Sequence, residues 1–217
     1  MSWINSIIRP DFIFMIPGLL IGLTVHEFAH AWVAYRCGDP TAYWNGRVTL
    51  NPLAHVDPVG LICLVFFRFG WGRPVPVNPS NFRHYRNGQL AVSLAGIISN
   101  VIVLLLTGIL MGVLYLILPH TIPVNYLMRV LDGVVVYNAS LAVFNLLPIP
   151  PLDGSKVLMQ FLPYHMARIY RDFNSSMGML VLMFLSVTRL LNQIMGPPIY
   201  LLYLAAIRLA DLIAFRR

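Results

Sequence analysis

Charge is scarce in this chain. Asp, Glu, Lys and Arg make up 11% of its 217 residues, where a soluble domain carries about 25%. Lysine occurs once, at Lys156, and glutamate once, at Glu27. A soluble surface cannot be built from so little. With 58% hydrophobic residues and a mean hydropathy of +0.73, the composition is that of a membrane protein. Cysteine is nearly missing too: Cys37 and Cys63 have no metal-pair spacing and are too few for a disulfide scaffold. Residues 1–11 lack the apolar core and cleavage site of a signal peptide. No soluble stretch is long enough for a second domain. The expectation is one membrane-embedded unit over 1–217, with a core over about 12–160 and two extra C-terminal helices over about 174–215. The net charge of +7 comes from fourteen arginines and one lysine dispersed among apolar spans, which speaks against a nucleic-acid surface.

Against that background one stretch stands out, Thr24-Val25-His26-Glu27-Phe28-Ala29-His30-Ala31-Trp32. On an α-helix His26 and His30 sit one turn apart on one face and can grip one metal ion. Glu27 lies beside the first of them, within reach of a metal-bound water as general base. The sole glutamate falls between two of the six histidines, an arrangement that chance produces in roughly 1 chain in 1,000. Gly18, Gly22, His26, His30 and Ala34 form an i, i+4 stripe, so small residues extend the metal face and let another backbone approach.

The apolar runs predict an all-α polytopic protein of about five transmembrane helices, with a re-entrant segment and short β-hairpin near 45–80. The first span covers about 12–35. Residues 59–71 are too short to cross and contain Arg68, so they read as re-entrant. Val48-Thr49-Leu50 after Asn45-Gly46 reads as a hairpin arm, and the proline-rich 74–79 as an extended edge. Spans follow at 89–118 and 124–147, then helices at 177–191 and 198–215 separated by Gly196-Pro197-Pro198. With 59–71 re-entrant, eleven basic residues fall on one side and three (Arg9, Arg129 and Arg189) on the other. That bias puts the 36–89 loop, the Asp153 turn and the C-terminus in the cytoplasm.

Catalytic zinc usually takes three protein ligands and leaves one position for water. The candidates for the third are Asp153, His55, Asp57, Asp39 and Asp132. Asp153 is favoured because Pro150 and Pro151 brace its turn and Gly154 follows it. The other use of its carboxylate would be to cap the helix behind it.

The chain resembles a compact member of the site-2 protease family of intramembrane zinc metalloproteases. The resemblance rests on His26-Glu27-Phe28-Ala29-His30, on Asn145-Leu146-Leu147-Pro148-Ile149-Pro150-Pro151-Leu152-Asp153-Gly154, and between them on Gly46-Arg47-Val48-Thr49-Leu50-Asn51-Pro52 and Pro74-Val75-Pro76-Val77-Asn78-Pro79. It covers about residues 20–160 and points to the subgroup without PDZ or CBS domains. It implies one Zn2+ ion held by His26, His30 and Asp153, Glu27 as catalytic base, and Asn145 in support of site or substrate. The family often has Ala-Gly-Pro-x-x-Asn in the intervening span; here Ala95-Gly96-Ile97-Ile98-Ser99-Asn100 keeps the asparagine without the proline. Asn100 or Asn145 is expected to donate to an oxyanion. The implied partners are transmembrane protein substrates and the lipid bilayer, with a homo-oligomer left open. The implied place is a prokaryotic inner membrane. Two other readings stay open, an inactive relative that binds membrane proteins and a small metal transporter.

Overall fold

The computed structural model describes residues 12–60, 72–119, 121–172, 175–188 and 190–214. Its helices are α1 (Phe12–Cys37), α2 (Thr41–Trp44), α3 (Tyr85–Ile117), α4 (Ile122–Leu146), α5 (Asp153–Met159), α6 (Tyr164–Asp172), α7 (Ser175–Val187) and α8 (Leu190–Ala214). Four of them, α1, α3, α4 and α8, are long and apolar enough to cross a bilayer. The protein is therefore an all-helical integral membrane protein, and its lipid-facing apolar surface cannot itself drive the helices together. Small residues do that instead. A Cβ on Gly18 of α1 would lie 2.5 Å from the Gly133 carbonyl oxygen of α4, and one on Gly22 would lie 2.7 Å from Leu141. Leu104, Met111, Met128, Val135, Ala139, Ala206 and Ala210 fill the space between α3, α4 and α8.

α1 ends in a Schellman turn. Gly38 takes φ +110°, its N–H donates to Tyr35 O, and the Asp39 N–H donates to Ala34 O. The chain thereby turns back under the bundle and buries Asp39.

The structure departs from the sequence reading at three places. The expected fifth span is α7, only 13 residues and about 20 Å long, against a hydrocarbon core of about 30 Å. Its partner begins earlier than expected, because α8 runs through Pro197 and Pro198 instead of starting after them. An intramembrane helix tolerates proline where neighbours re-satisfy the freed carbonyls. The turn falls at Thr188, whose hydroxyl donates to Phe184 O and Leu185 O at the end of α7. Nor do the described residues of 45–80 form a hairpin. Thr49 spends its groups locally, its carbonyl accepting from His55 Nε2 and its hydroxyl from the Asn51 N–H. One isolated antiparallel bridge, Val56 to Gly72, joins the two arms. Most of the expected re-entrant segment, 61–71, lies outside the described residues.

The third departure follows from the first. Gly108 of α3 packs on Ala206 of α8, and Gly112 on Ala210. Four residues along one helix match four along the other, so α3 and α8 run in the same direction. Phe14, Tyr115, Arg129, Asp211 and Ala214 accordingly line one cavity of about 950 Å³ at a single end of the bundle. The end of α8 thus lies opposite the 38–84 loop and the turn before α5, not beside them as the charge count suggested. One crossing fewer reverses the face. Among described residues, Arg36, Arg47, Arg73, Arg83, Arg86, Lys156 and Arg168 lie at the loop end. Arg129 and Arg208 lie in the other half, so the bias survives with different members. Single cysteines at Arg83 and Asp211, probed with an impermeant thiol reagent, will label from opposite membrane faces; labelling from one face would contradict the parallel α3–α8 pair.

Candidate metal centre

His26 and His30 stand on successive turns of α1, both buried, with ring centroids 4.5 Å apart. Their Nε2 atoms are 3.0 Å apart, and Asp153 Oδ2 reaches them at 3.2 and 2.9 Å. Asp153 is buried as well, and its helix carries no side-chain cap, so the carboxylate is given to the histidines. Gly154 makes this placement possible by close approach: a Cβ there would lie 2.2 Å from Leu146 O at the end of α4. Lys156 Nζ sits 3.1 Å from the second carboxylate oxygen, Oδ1.

The ring orientations say what this cluster is for. His30 Nδ1 lies 2.7 Å from the Val92 carbonyl, which can only accept, so Nδ1 carries a proton and, in the neutral imidazole, Nε2 keeps its lone pair. His26 Nδ1 lies 2.7 Å from Asn100 Oδ1, with the same result. With both imidazoles neutral, two lone pairs and a carboxylate oxygen converge, an arrangement that a cation relieves. Their separations of 2.9–3.2 Å are close to the roughly 3.3 Å between ligands of tetrahedral zinc at 2.0–2.1 Å. The donor set fits a metal ion, and each histidine has the outer hydrogen bond typical of metal-bound imidazole.

Glu27 lines a cavity of about 300 Å³ together with His26, His30, Asn145 and Asp153. Its Oε2 accepts from the Val75 N–H at 3.0 Å. That N–H belongs to an extended strap, residues 73–78, which lies across the cavity and is tied down at both ends. Arg47 donates to Pro74 O at 3.2 Å and Arg73 O at 2.6 Å, while the Arg73 N–H donates to His55 O. At the other end Asp39 accepts from the Asn78 N–H at 2.7 Å, from Asn81 Nδ2 and from Thr41. Burial alone would raise the Asp39 carboxyl, and these hydrogen bonds outweigh it and pull it below the usual carboxylate value.

The remaining sequence candidates fall elsewhere. His55 and Asp39 hold the strap. Asp57 accepts from the Val59 and Gly60 N–H groups of its own turn, and Asp132 accepts from the Tyr203 hydroxyl. Asn145 borders the cavity, with its amide donating back to Leu141 O. Asn100, by contrast, is fully buried and its carboxamide is engaged by His26, Gly22 O and Asn138. It supports a histidine and is not among the residues that line the cavity beside Glu27. α3 continues unbroken through the site of the missing proline.

Sequence reasoning did not single out the strap's Arg47, the Val92 carbonyl, Asn138 or the role of Gly96. A Cβ on Gly96 would sit 2.4 Å from His26 Cε1 and 2.6 Å from His30 Nε2. The spacing of Val92, Gly96 and Asn100 on one helical face was the available signal.

Comparison with known proteins bears on this geometry. YwhC of Bacillus subtilis, named "Putative zinc metalloprotease", is 37% identical over 191 residues, covering 85% of this chain and 84% of its own. Rip2 of Mycolicibacterium smegmatis, named in the same way, is 32% identical over 204 residues, covering 89% and 76%. Rip2 of Mycobacterium tuberculosis is 34% identical over 155 residues, which is 56% of its length. Residues 110–188 match the model of peptidase family M50. The chain belongs to peptidase family M50, the site-2 proteases. The M50 match includes Asn145 and Asp153, and the relatives' names give zinc as the metal of that chemistry. No solved structure matches the chain.

Two outcomes follow for this M50 site. Gly96→Ala will weaken zinc binding tenfold or more, measured by chelator competition, because the new methyl meets both histidines; unchanged affinity would show that α3 can yield. Asp39→Asn will cost about 1–3 kcal/mol in unfolding free energy at neutral pH by removing a buried acceptor. Because the folded carboxyl titrates below the usual carboxylate value, its contribution is in place above the ordinary carboxylate range and is lost as pH falls through the lower folded value. The two proteins therefore converge in stability only in acid.

Proposed function

We propose that the protein is an intramembrane zinc endopeptidase that hydrolyses peptide bonds in or near transmembrane segments of other membrane proteins. The observation that carries this reading is the convergence of His26 Nε2, His30 Nε2 and Asp153 Oδ2 beside Glu27, inside a bundle of four membrane-length helices. His30 precedes the end of α1 at Cys37 by seven residues, so the site lies about 10 Å from that end of the helix. The basic residues at the loop end support a cytoplasmic position for that side, and the bacterial origin of the relatives supports a prokaryotic cell membrane.

A zinc ion held by His26, His30 and Asp153 would supply acidification of a water and polarisation of the scissile carbonyl. The Glu27 carboxylate is placed to accept a proton from the attacking water and to return it to the leaving amine. Its Oε2, held by the Val75 N–H, stays aimed along the strap. Asn145, on the cavity wall, donates to the oxygen where negative charge builds up. A substrate helix must unwind to expose a carbonyl, and Val75 and Val77 of the strap, both on the cavity wall, offer it an extended neighbour for strand addition. The second cavity, about 390 Å³ between Leu19, Leu23, Leu141, Phe144 and Leu182, shares Glu27 and Asn145 with the first and accepts an apolar side chain beside the cleaved bond.

Purified protein incubated in detergent with a panel of transmembrane substrates will cleave at least one. Glu27→Gln will retain zinc and lose about 10²–10⁴-fold in rate; Asp153→Ala will lose both zinc and cleavage. Cleavage surviving in Glu27→Gln would remove Glu27 from the reaction. A wild-type protein that binds zinc yet cleaves nothing would favour the inactive binder.

A further inference from the structure

We infer that Asn138 is a positioning residue for the metal centre: together with Gly22 O it holds Asn100 so that Nδ1 of His26 carries the proton. The inference rests on the metal reading above and extends it to α4, which supplies no ligand atom.

The reasoning starts from a backbone carbonyl. Val134 O has no hydrogen to give, so the Asn138 atom 2.8 Å from it is the donor Nδ2. The Asn138 oxygen therefore points the other way, at Asn100. An amide oxygen only accepts, so the Asn100 atom 2.9 Å away is Nδ2, which also lies 3.0 Å from Gly22 O, another pure acceptor. The Asn100 oxygen is thus turned toward His26 Nδ1 at 2.7 Å, and Nδ1 must donate. His26 Nε2 is left with its lone pair facing His30 and Asp153. Each orientation follows from the one before, which is how amide and imidazole orientations are properly assigned.

Both asparagines are 0% exposed, so water cannot take over either role. His30 obtains the same polarity directly from Val92 O. His26 obtains it at second hand through Asn100, which Gly22 O of α1 and the Asn138 oxygen of α4 orient together. The relay joins α4, α3 and α1, and it is polar at every step in a bundle packed largely by apolar and small residues. Its cost is justified only if direction matters, since a half-satisfied buried network is worse than an apolar one.

The test uses purified full-length protein in detergent and zinc alone, with affinity read by competition with a chromophoric chelator. Asn138→Leu should weaken zinc binding tenfold or more, the range for partners that orient a metal ligand. The deciding measurement repeats this substitution in an Asn100→Asp background. A carboxylate accepts on both sides, so the Asn138 oxygen now faces another oxygen, and replacing it with leucine should tighten binding relative to Asn100→Asp alone. A residue that merely packs would act with the same sign in both backgrounds, and that result would overturn the proposal, as would an unchanged affinity in Asn138→Leu. Should leucine crowd Gly22 and prevent folding, Asn138→Ala takes its place in the same cycle. His26→Ala separates the two levels. If it binds zinc as well as wild type, the metal reading falls and this inference with it; if it loses zinc while Asn138 variants do not, only the inference falls.

Discussion

Three ligand atoms, two imidazole nitrogens and a carboxylate oxygen, held about 3 Å apart are the condition that the rest of this molecule serves. Such a cluster is unfavourable in a low-dielectric interior unless a cation joins it. It must also be held from outside, because the atoms repel. The outside hold is visible at each member. Val92 O and Asn100 fix the two imidazoles, and Lys156 takes the far oxygen of Asp153. Burial then keeps water from relaxing the arrangement.

Bringing these groups together needs backbones closer than side chains normally allow. Gly18 and Gly133 close α1 on α4, Gly96 closes α3 on the histidines, and Gly154 closes α5 on the end of α4. In a soluble protein the hydrophobic effect would reward larger residues at such positions. In lipid, where tails are as apolar as leucine, contact between backbones and buried hydrogen bonds carry more of the packing. The glycines and asparagines are two parts of one solution: the first permit the approach, the second make it directional.

The parts of this design that could be read from the sequence are those set by short-range periodicity. The histidine pair, its glutamate and the membrane-length runs of α1, α3 and α4 depend on residues three to twenty-five apart, and their ends were found within a few positions. Asp153 was reachable because prolines and a glycine punctuate its turn. The strap's extended backbone was legible from its prolines, but its anchoring was not, because Arg47, His55 and Asp39 act on backbone groups 18 to 39 residues away, and nothing in their local pattern distinguishes an anchor from a ligand. The face of the C-terminal helix was misjudged for another reason. Gly196-Pro197-Pro198 is a strong break in water, but α8 absorbs it, and counting crossings turned on whether 13 residues of α7 suffice. One such error reverses everything downstream of it, whereas an error in helix length stays local.

The emptiness at Gly96 also divides the walls of the site into one that is rigid and others that can yield. On the α3 side, the ligands rest on bare backbone, so a displacement there would be felt at once by both histidines. The strap is tied to Glu27 by the Val75 N–H, and the flank lined by Leu19, Leu141 and Leu182 borders the site at Glu27 and His26. On the proposed reading, an incoming polypeptide would be accommodated from that flank while the ligand geometry stays fixed. Traffic and chemistry share a chamber, but they lean on different sides of it.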